Sequence, residues 1–255
     1  MSLDGLLSGK IGLVIGLANE HSIAAGCANA FRKAGADLVL TCTEKSRRFA
    51  APVAEALKAA MLSLDVEAEG SLESVFEYIT KTFGRLDFAL HSIAFCPKED
   101  LHGRVTDCSR AGFSLAMDIS VHSFIRMAHL AEPLMAGGGS LLTVSYYGAE
   151  KVVDHYNVMG PVKSALEGTV RYIAAELGPK GIRVNALSPG PLKTRAASGI
   201  DHFDDLIDKA REHAPERRLV TIEDVGAIAA GLVSDFARNV TGTTAYVDAG
   251  YHVMS

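Results

Sequence analysis

The chain has 255 residues, 48% of them hydrophobic, which is enough to bury the core of one large domain or two small ones. A net charge of −5, without a long lysine–arginine run, argues against binding to nucleic acid. No apolar run approaches the ~18 residues of a membrane span, and we expect no secretory signal and no metal site. The four cysteines form no C-x-x-C pair and favour a reduced, cytoplasmic protein.

Seven short apolar segments alternate with segments of helical periodicity. The apolar segments are 11–16, 36–42, 61–66, 86–93, 140–145, 182–188 and 244–249, and the clearest helical segments are 22–36, 71–84 and 225–237. Near-continuous apolar runs are typical of strands that are buried on both faces of a parallel sheet. The alternation predicts one doubly wound, Rossmann-type α/β domain over 1–255, with a seven-stranded parallel sheet and ligands beyond its carboxyl ends.

The turn after the first predicted strand is the first candidate ligand site. A dinucleotide fold needs a glycine here, so that backbone can approach the pyrophosphate, and a helix amino terminus directed at it. Gly16 supplies the glycine, and Ser22 is a candidate N-cap whose hydroxyl can also hold phosphate. Because the G-x-G-x-x-G fingerprint is absent, an ordinary capped connection is the alternative.

The second predicted strand ends next to Thr43, where a dinucleotide fold distinguishes its two nicotinamide cofactors. An acidic group here bonds the adenosine ribose of NAD, whereas a basic group accepts the additional phosphate of NADP. The sequence offers Glu44, followed by Lys45, Arg47 and Arg48. Glu44 favours NAD and leaves NADP possible, and a solvated surface carboxylate is the alternative interpretation.

The third and fourth predicted strands end in residues suited to line a cofactor. Asp65 and Val66 close the third strand, where side chain and backbone can hold the adenine. Ser92 and Ile93 close the fourth strand. His91 precedes them, and we interpret it as a packed strand-end histidine rather than a base.

The stretch YYGAEKVVDHYNVMGPVK, residues 146–163, holds three tyrosines and two lysines. Tyr147 and Lys151 match the Tyr-x-x-x-Lys spacing of the commonest short-chain dehydrogenases. They follow the fifth predicted strand directly, whereas that pair normally lies on the next helix. We therefore interpret this match as chance.

Tyr156 and Lys163 lie seven residues apart, which on a helix spans two turns and about 10 Å with an offset of about 20°. Pro161 is tolerated only in a first turn, so we expect the helix to begin near 158 with Tyr156 at its mouth. Lys163 and the helix amino terminus then favour a tyrosinate, or an oxyanion bonded to the phenol. The alternative is a surface tyrosine and a solvated lysine.

The sixth predicted strand leads into 185–194, where the Pro-Gly-Pro of 189–191 interrupts regular structure at a place suited to wrapping a cofactor. Thr194 is a candidate ligand for its pyrophosphate or carboxamide. Helical spacing follows at 201–213, with apolar residues at Phe203, Leu206, Ile207 and Ala210. This stripe suits a helix that covers a hydrophobic substrate, or one that packs in the core.

Together these motifs resemble the enoyl-acyl-carrier-protein reductases of bacterial fatty-acid synthesis, a divergent branch of the short-chain dehydrogenase/reductases. The resemblance runs nearly end to end. It rests on G-x5-S-I-A at 16–24, HSIAF at 91–95, LLTVSYYGAEKVVDHYNVMGPVKSALE at 141–167, RVNALSPGPLKTRAASGI at 183–200 and RRLVTIEDVG at 217–226. The Tyr-x6-Lys spacing preceded by Ser-Tyr is the part most specific to this branch.

The resemblance implies that NADH, with NADPH as the alternative, reduces a trans-2-enoyl thioester during fatty-acid elongation. It makes Tyr146, Tyr156 and Lys163 the candidate catalytic residues, with Tyr156 as the donor to the enolate, Lys163 on the nicotinamide ribose and the role of Tyr146 open. It puts Cys96, Tyr146 and Tyr156 in the substrate pocket. The candidate cofactor residues are Gly16, Ser22, Ile23, Thr43, Asp65, Val66, Ser92, Ile93, Lys163, Leu192, Thr194 and Ala196. It also implies a homotetramer, with a substrate-covering helical segment at about 195–218.

Three positions depart from the family's pattern. Thr43 replaces the glutamine common in members that use NADH and the basic residue common in those that use NADPH. Cys96 replaces a common alanine or serine, which suggests a thiol-sensitive site. The predicted covering helix is acidic, at Asp201, Asp204, Asp205 and Asp208, although acyl carrier protein is itself acidic.

This acidic helix leaves the carrier open. Docking uses basic residues elsewhere, at Lys193, Arg195, Arg217 or Arg218, or the natural thioester is carried on coenzyme A. A carbonyl reductase of the same superfamily is an alternative, but Gly160 stands where its lysine would follow Tyr156. A non-catalytic dinucleotide-sensing module is the other alternative, and it would not need the tyrosine and lysine.

Overall fold

Seven parallel strands form the centre of the computed structural model, which describes residues 3–192 and 203–254. The strands are β1 Ile11–Ile15, β2 Asp37–Cys42, β3 Ala60–Ser63, β4 Phe88–His91, β5 Gly139–Val144, β6 Ile182–Pro189 and β7 Thr244–Val247. They lie in the order β3-β2-β1-β4-β5-β6-β7 of a doubly wound, Rossmann-type sheet. The predicted fold class is confirmed, and the strand ends differ from the prediction by at most three residues.

Helices cover both faces of the sheet. In the described ranges they are α1 Ile23–Lys33, α2 Arg47–Ala56, α3 Ser71–Phe83, α4 Lys98–His102, α5 Arg110–Met117, α6 Ser123–Ala131, α7 Met159–Leu177, α8 Phe203–His213 and α9 Ile222–Val233. α9 begins three residues before the predicted segment because Thr221 and Asp224 form a capping box. No helix within these ranges is long and apolar enough to cross a membrane.

The sheet is buried on both faces, as its apolar strands predict. Leu13 and Ile15 of β1 face one cluster of buried side chains, which includes Phe124 of α6. Val14, between them, faces the opposite cluster, which includes Ala229 of α9. This alternation follows from the two-residue period of a strand and leaves the strand ends as the places for polar groups.

The carboxyl ends of the central strands meet at one edge of the sheet. Ile15 of β1 lies opposite both Thr41 of β2 and His91 of β4, and His91 lies opposite Thr143 of β5. The strand order reverses between β1 and β4, and a crevice opens at such a point in a doubly wound fold.

Candidate active site

The turn between β1 and α1 has the geometry of a phosphate-binding turn. Gly16 has a φ of +98°, and a Cβ added to it would lie 2.3 Å from the carbonyl oxygen of Ser92. Only glycine fits this conformation and this close approach. Ser22 is the N-cap of α1, as predicted, and its Oγ accepts a hydrogen bond from the Ala25 N–H at 3.2 Å. The first turn of α1 carries no acidic residue, so its amino terminus remains suited to an anion.

A cavity of about 510 Å³ opens at this turn and extends across the ends of β1 to β4. It is lined by the candidate cofactor residues of the first four strands: Gly16, Ser22, Ile23, Thr43, Asp65, Val66, Ser92 and Ile93. The structure therefore brings together eight residues from four separate segments of the sequence. Thr194 and Ala196, also candidate cofactor residues, lie outside the described residues.

The end of the cavity beside β2 carries charges of both signs. Glu44 and Lys45 both line it next to Thr43. Glu44 is exposed and forms an ion pair with Arg47 at 3.3 Å. Hydrogen bonds from Ser63 and Arg47 lower the pKa of Glu44, so it stays ionised at neutral pH. A carboxylate at this end favours ribose hydroxyls over an additional phosphate.

A second cavity, of about 220 Å³, adjoins the first and shares Ile23 and residues 92–95 with it. Its lining includes all of the candidate catalytic and substrate residues: Cys96, Tyr146, Tyr156 and Lys163. The Pro-Gly-Pro of 189–191 and the candidate cofactor residue Leu192, which follows it, also line this cavity. The residues proposed for chemistry and those proposed for the cofactor thus meet at one border.

Tyr156 lies immediately before α7. The helix begins at Met159, so Pro161 falls in its first turn, as predicted. The tyrosine is 7% exposed. Burial raises the pKa of its phenol above the ordinary value, and the charge of Glu167 raises that pKa further. Of the two expectations, a tyrosinate or an oxyanion bonded to the phenol, desolvation disfavours the first. A neutral phenol is the hydrogen-bond donor that the second requires.

Lys163 is buried beside this tyrosine and is not a solvated surface charge. Its Nζ donates a hydrogen bond to the carbonyl oxygen of Val144, at the end of β5, over 2.7 Å. Burial lowers the pKa of Lys163 to about 8, although the charge of Glu167 acts in the opposite direction. Two further N–H groups of the ammonium remain for a ligand.

The three tyrosines make edge-to-face contacts in the order Tyr156, Tyr146, Tyr147, and Tyr146 and Tyr156 line the second cavity. The Tyr146 ring lies 4.8 Å from the Tyr156 ring and 4.9 Å from the Tyr147 ring. Tyr147 instead packs toward Tyr251, at 5.4 Å, from a 3-10 turn that precedes α7. Lys151 also precedes α7, so the Tyr-x-x-x-Lys match does not lie on the helix, in agreement with its interpretation as chance.

Two other candidates have a structural explanation. His91 is buried, with Nδ1 3.1 Å from Thr143 Oγ1 and Nε2 2.7 Å from Ser123 Oγ, and burial lowers its pKa to about 3. It is the packed histidine that was predicted. Burial raises the pKa of Cys96 to about 11, which disfavours the thiolate and argues against a thiol-sensitive site.

α8 carries the apolar stripe that was predicted at 201–213. Its buried side chains include Leu206, Ile207 and Ala210; the side chain of Phe203 is outside the described set. Its exposed residues include Asp204, Asp205 and Asp208, together with two basic residues. Lys209 pairs with Asp154 at 3.2 Å, and Arg211 pairs with Asp208 at 2.9 Å. The described part of this helix therefore presents a mainly acidic surface.

Several lining residues were not singled out from the sequence. Leu101, in the short α4, and Met159, at the start of α7, both line the second cavity. Met159 follows Tyr156 by three residues at a helix start, which is a usable signal. Leu101 has none, because α4 has only five residues and shows no periodicity.

A doubly wound parallel sheet with a tyrosine and a buried lysine beside its crevice defines a short-chain dehydrogenase/reductase fold. A family model described as enoyl-(acyl carrier protein) reductase matches residues 16–252. The chain belongs to this family, and the resemblance seen in its motifs is confirmed.

Relatives match over almost the whole chain. The enoyl-[acyl-carrier-protein] reductase [NADH] 1 of Rhizobium meliloti (strain 1021) is 47% identical and covers 98% of this chain and 93% of that protein. The enoyl-[acyl-carrier-protein] reductase [NADH] FabI of Aquifex aeolicus (strain VF5) is 46% identical, and the match covers 98% of this chain and 94% of that protein. A crystal structure of the Anaplasma phagocytophilum reductase with NAD has a TM-score of 0.94 at 45% identity, covering 99% and 97%. A crystal structure of the Bacillus cereus reductase with NADP+ and indole naphthyridinone has a TM-score of 0.96 at 42% identity, covering 99% of this chain and 100% of that chain.

Proposed function

We propose that this protein is an NADH-dependent oxidoreductase that reduces the trans-2 double bond of enoyl thioesters in fatty-acid elongation. The observation that carries the proposal is the pairing of Tyr156 with Lys163 in a cavity that adjoins the larger one at the β1–α1 turn. Relatives with 47% and 46% identity are named for this reaction with NADH.

The residues of the larger cavity suit the cofactor. The turn at Gly16 has no room for a Cβ, and the amino terminus of α1 offers N–H groups to a pyrophosphate. Thr43 and Glu44 would meet the adenosine ribose, and Asp65 with Val66 the adenine. Lys163 would bond the nicotinamide ribose. When bound, NADH supplies the hydride that adds to the β-carbon of the substrate.

Tyr156 acts on the charge that develops at the thioester oxygen. Its neutral phenol donates a hydrogen bond to the enolate and then the proton, and a contact of this type lowers a barrier by about 3 kcal/mol. Tyr146 lines the same cavity, and its buried hydroxyl has Tyr147 as a polar neighbour, so Tyr146 would be a second contact for the substrate. Cys96 would line the substrate pocket without taking part in the chemistry.

The proposed carrier of the thioester is acyl carrier protein. The acidic outer face of α8 does not suit an acidic partner, so docking would use basic residues elsewhere. Arg217 is exposed close to the carboxyl end of α8, whereas Arg218 already pairs with Glu216 at 2.7 Å. Coenzyme A is the second carrier to test. α8 would form part of the covering segment at about 195–218.

We also propose a cytoplasmic homotetramer. α7 packs against both α5 and α6, and exposed apolar side chains on these three helices, Phe113, Ile125 and Tyr172, support self-association. All four cysteines are free, which suits a reducing compartment. Sedimentation of the purified protein tests the assembly: a stable monomer at micromolar concentration would contradict it.

Absorbance of the reduced cofactor tests the reaction. Crotonyl thioesters of acyl carrier protein and coenzyme A are each mixed with NADH or NADPH, and ketoacyl thioesters serve as the comparison. Consumption of NADH with enoyl but not ketoacyl substrates is expected. Turnover of ketoacyl substrates alone would indicate a carbonyl reductase, and cofactor binding without any turnover a dinucleotide-sensing module.

A further inference from the structure

A buried carboxylate lies beside the catalytic pair without a part in the proposed chemistry. Glu167 is one turn after Lys163 on α7 and is only 4% exposed. Glutamate is almost never buried to this extent unless its charge has a partner. Its Oε1 accepts a hydrogen bond from Ser145 Oγ at 2.5 Å.

The end of β5 contacts both Lys163 and Glu167. The carbonyl oxygen of Val144 accepts from Lys163 Nζ at 2.7 Å, and the next residue, Ser145, donates to Glu167. Residues four apart on a helix share one face, so Lys163 and Glu167 meet the same strand end side by side. The two side chains are therefore held by adjacent residues, the last residue of β5 and the residue that follows it.

The charge of Glu167 acts on both catalytic groups in the direction that the reaction needs. It raises the pKa of Lys163 against the effect of burial, and it raises the pKa of Tyr156 together with burial. The other titratable neighbour of Lys163, His91 on β4, is uncharged because burial lowers its pKa to about 3. Burial raises the pKa of Glu167 itself, and the charge of Glu150 raises it further. Hydrogen bonds from Ser145 and Thr244 and the charge of Arg171 lower that pKa.

We infer that Glu167 is a positioning residue whose buried carboxylate keeps Lys163 an ammonium and Tyr156 a neutral phenol. The inference rests on the proposed function, since it assigns the ammonium to the cofactor ribose. Ser145 acts through Glu167, by holding the carboxylate beside Lys163.

The affinity for NADH as a function of pH tests this role, measured by cofactor fluorescence between about pH 6 and 9. In the wild type, affinity is full below the Lys163 pKa of about 8 and falls as the pH rises through it. Glu167→Gln keeps the shape of the side chain and removes its charge. A nearby charge shifts a pKa by about one unit or more, so the midpoint should fall to about 7.

That shift gives a pH-dependent loss. At pH 8 about a tenth of Lys163 stays charged instead of half, so the dissociation constant rises about fivefold, whereas at pH 6 the change is below about 1.2-fold. Glu167→Asp should restore most of the wild-type midpoint. Glu176→Gln makes the same substitution on the exposed face of α7 and should leave the profile unchanged.

Two results would overturn the inference: an unchanged midpoint in a folded Glu167→Gln protein, or equal midpoints for Glu167→Gln and Glu167→Asp. If Glu167→Gln does not fold, Lys163→Arg gives a second measurement, because arginine stays charged at every pH used. Its affinity should lose the midpoint near 8, and a retained midpoint would also overturn the inference. Wild-type protein that neither binds nor oxidises NADH would instead refute the proposed function.

Discussion

Replacing Gly148 with alanine tests whether the position of Tyr156 controls turnover. Gly148 lies in the 3-10 turn Tyr147–Ala149, between β5 and α7. A Cβ added there would lie 2.7 Å from the Tyr156 ring and 3.4 Å from the Tyr146 ring. Carbon atoms at rest are about 3.5–4.0 Å apart, so the Tyr156 ring or the turn must move by about 1 Å.

The expected effect follows from that displacement. A misplacement of about 1 Å at a reacting group costs up to about 100-fold in rate, and overpacking a core costs about 1–3 kcal/mol of stability. We therefore expect kcat for crotonyl thioester to fall about 10- to 100-fold. The KM for NADH should stay within about twofold, because Gly148 is not among the lining residues of the larger cavity.

Steady-state oxidation of NADH, with thermal unfolding of each variant, measures these quantities. Gly168→Ala on α7 is the matched control, since a Cβ there would meet only the end of Arg171, at 3.9 Å. It should keep wild-type turnover and gain up to about 1 kcal/mol from helix propensity. A folded Gly148→Ala protein with kcat within about twofold of wild type would refute the argument that this turn positions the phenol.

Four further substitutions have defined outcomes. Tyr156→Phe should lower kcat about 10- to 1000-fold with cofactor affinity nearly intact, and unchanged turnover would remove the phenol from the mechanism. Lys163→Ala should weaken NADH binding, measured by fluorescence; an unaffected dissociation constant would exclude it as a ribose ligand. Lys151→Ala should leave kcat within about twofold, and a large loss would restore the Tyr-x-x-x-Lys pair. Gly16→Ala, at φ +98°, should lose about 2 kcal/mol of stability together with cofactor affinity, and wild-type melting and binding would contradict the close approach to Ser92.

The strands and the start of α7 could be predicted because each has a local cause. Continuous apolar runs have few options other than strands buried on both faces, and Pro161 restricts where a helix can begin. The grouping of Gly16, Thr43, Asp65 and Ser92 around one cavity also followed, since parallel strands place their carboxyl ends at one edge.

The protonation of the pair could not be predicted from spacing. The helix amino terminus and Lys163 suggested a stabilised tyrosinate or an oxyanion bonded to the phenol, but the choice between them depends on the free energy of ionisation and so on burial from all sides. Tyr156 is enclosed by residues from distant segments, and Glu167 adds a negative charge from two turns into α7. Neither desolvation nor a carboxylate that turns inward is visible in a pattern of residue types.

The wider spacing of the pair changes what holds the tyrosine in place. A tyrosine four residues before its lysine sits on the same helix, and the helix fixes both. Tyr156 lies before α7 and is held instead by contacts between rings. The Tyr156 ring lies 4.8 Å from the Tyr146 ring, Tyr146 contacts Tyr147, and the Tyr147 ring lies 5.4 Å from the Tyr251 ring. Tyr251 packs in turn against Ala210 and Ala214 at the end of α8. Because aromatic packing rather than helix geometry sets the phenol's position, substitutions among these four tyrosines should alter turnover even where the replaced side chain does not touch the substrate.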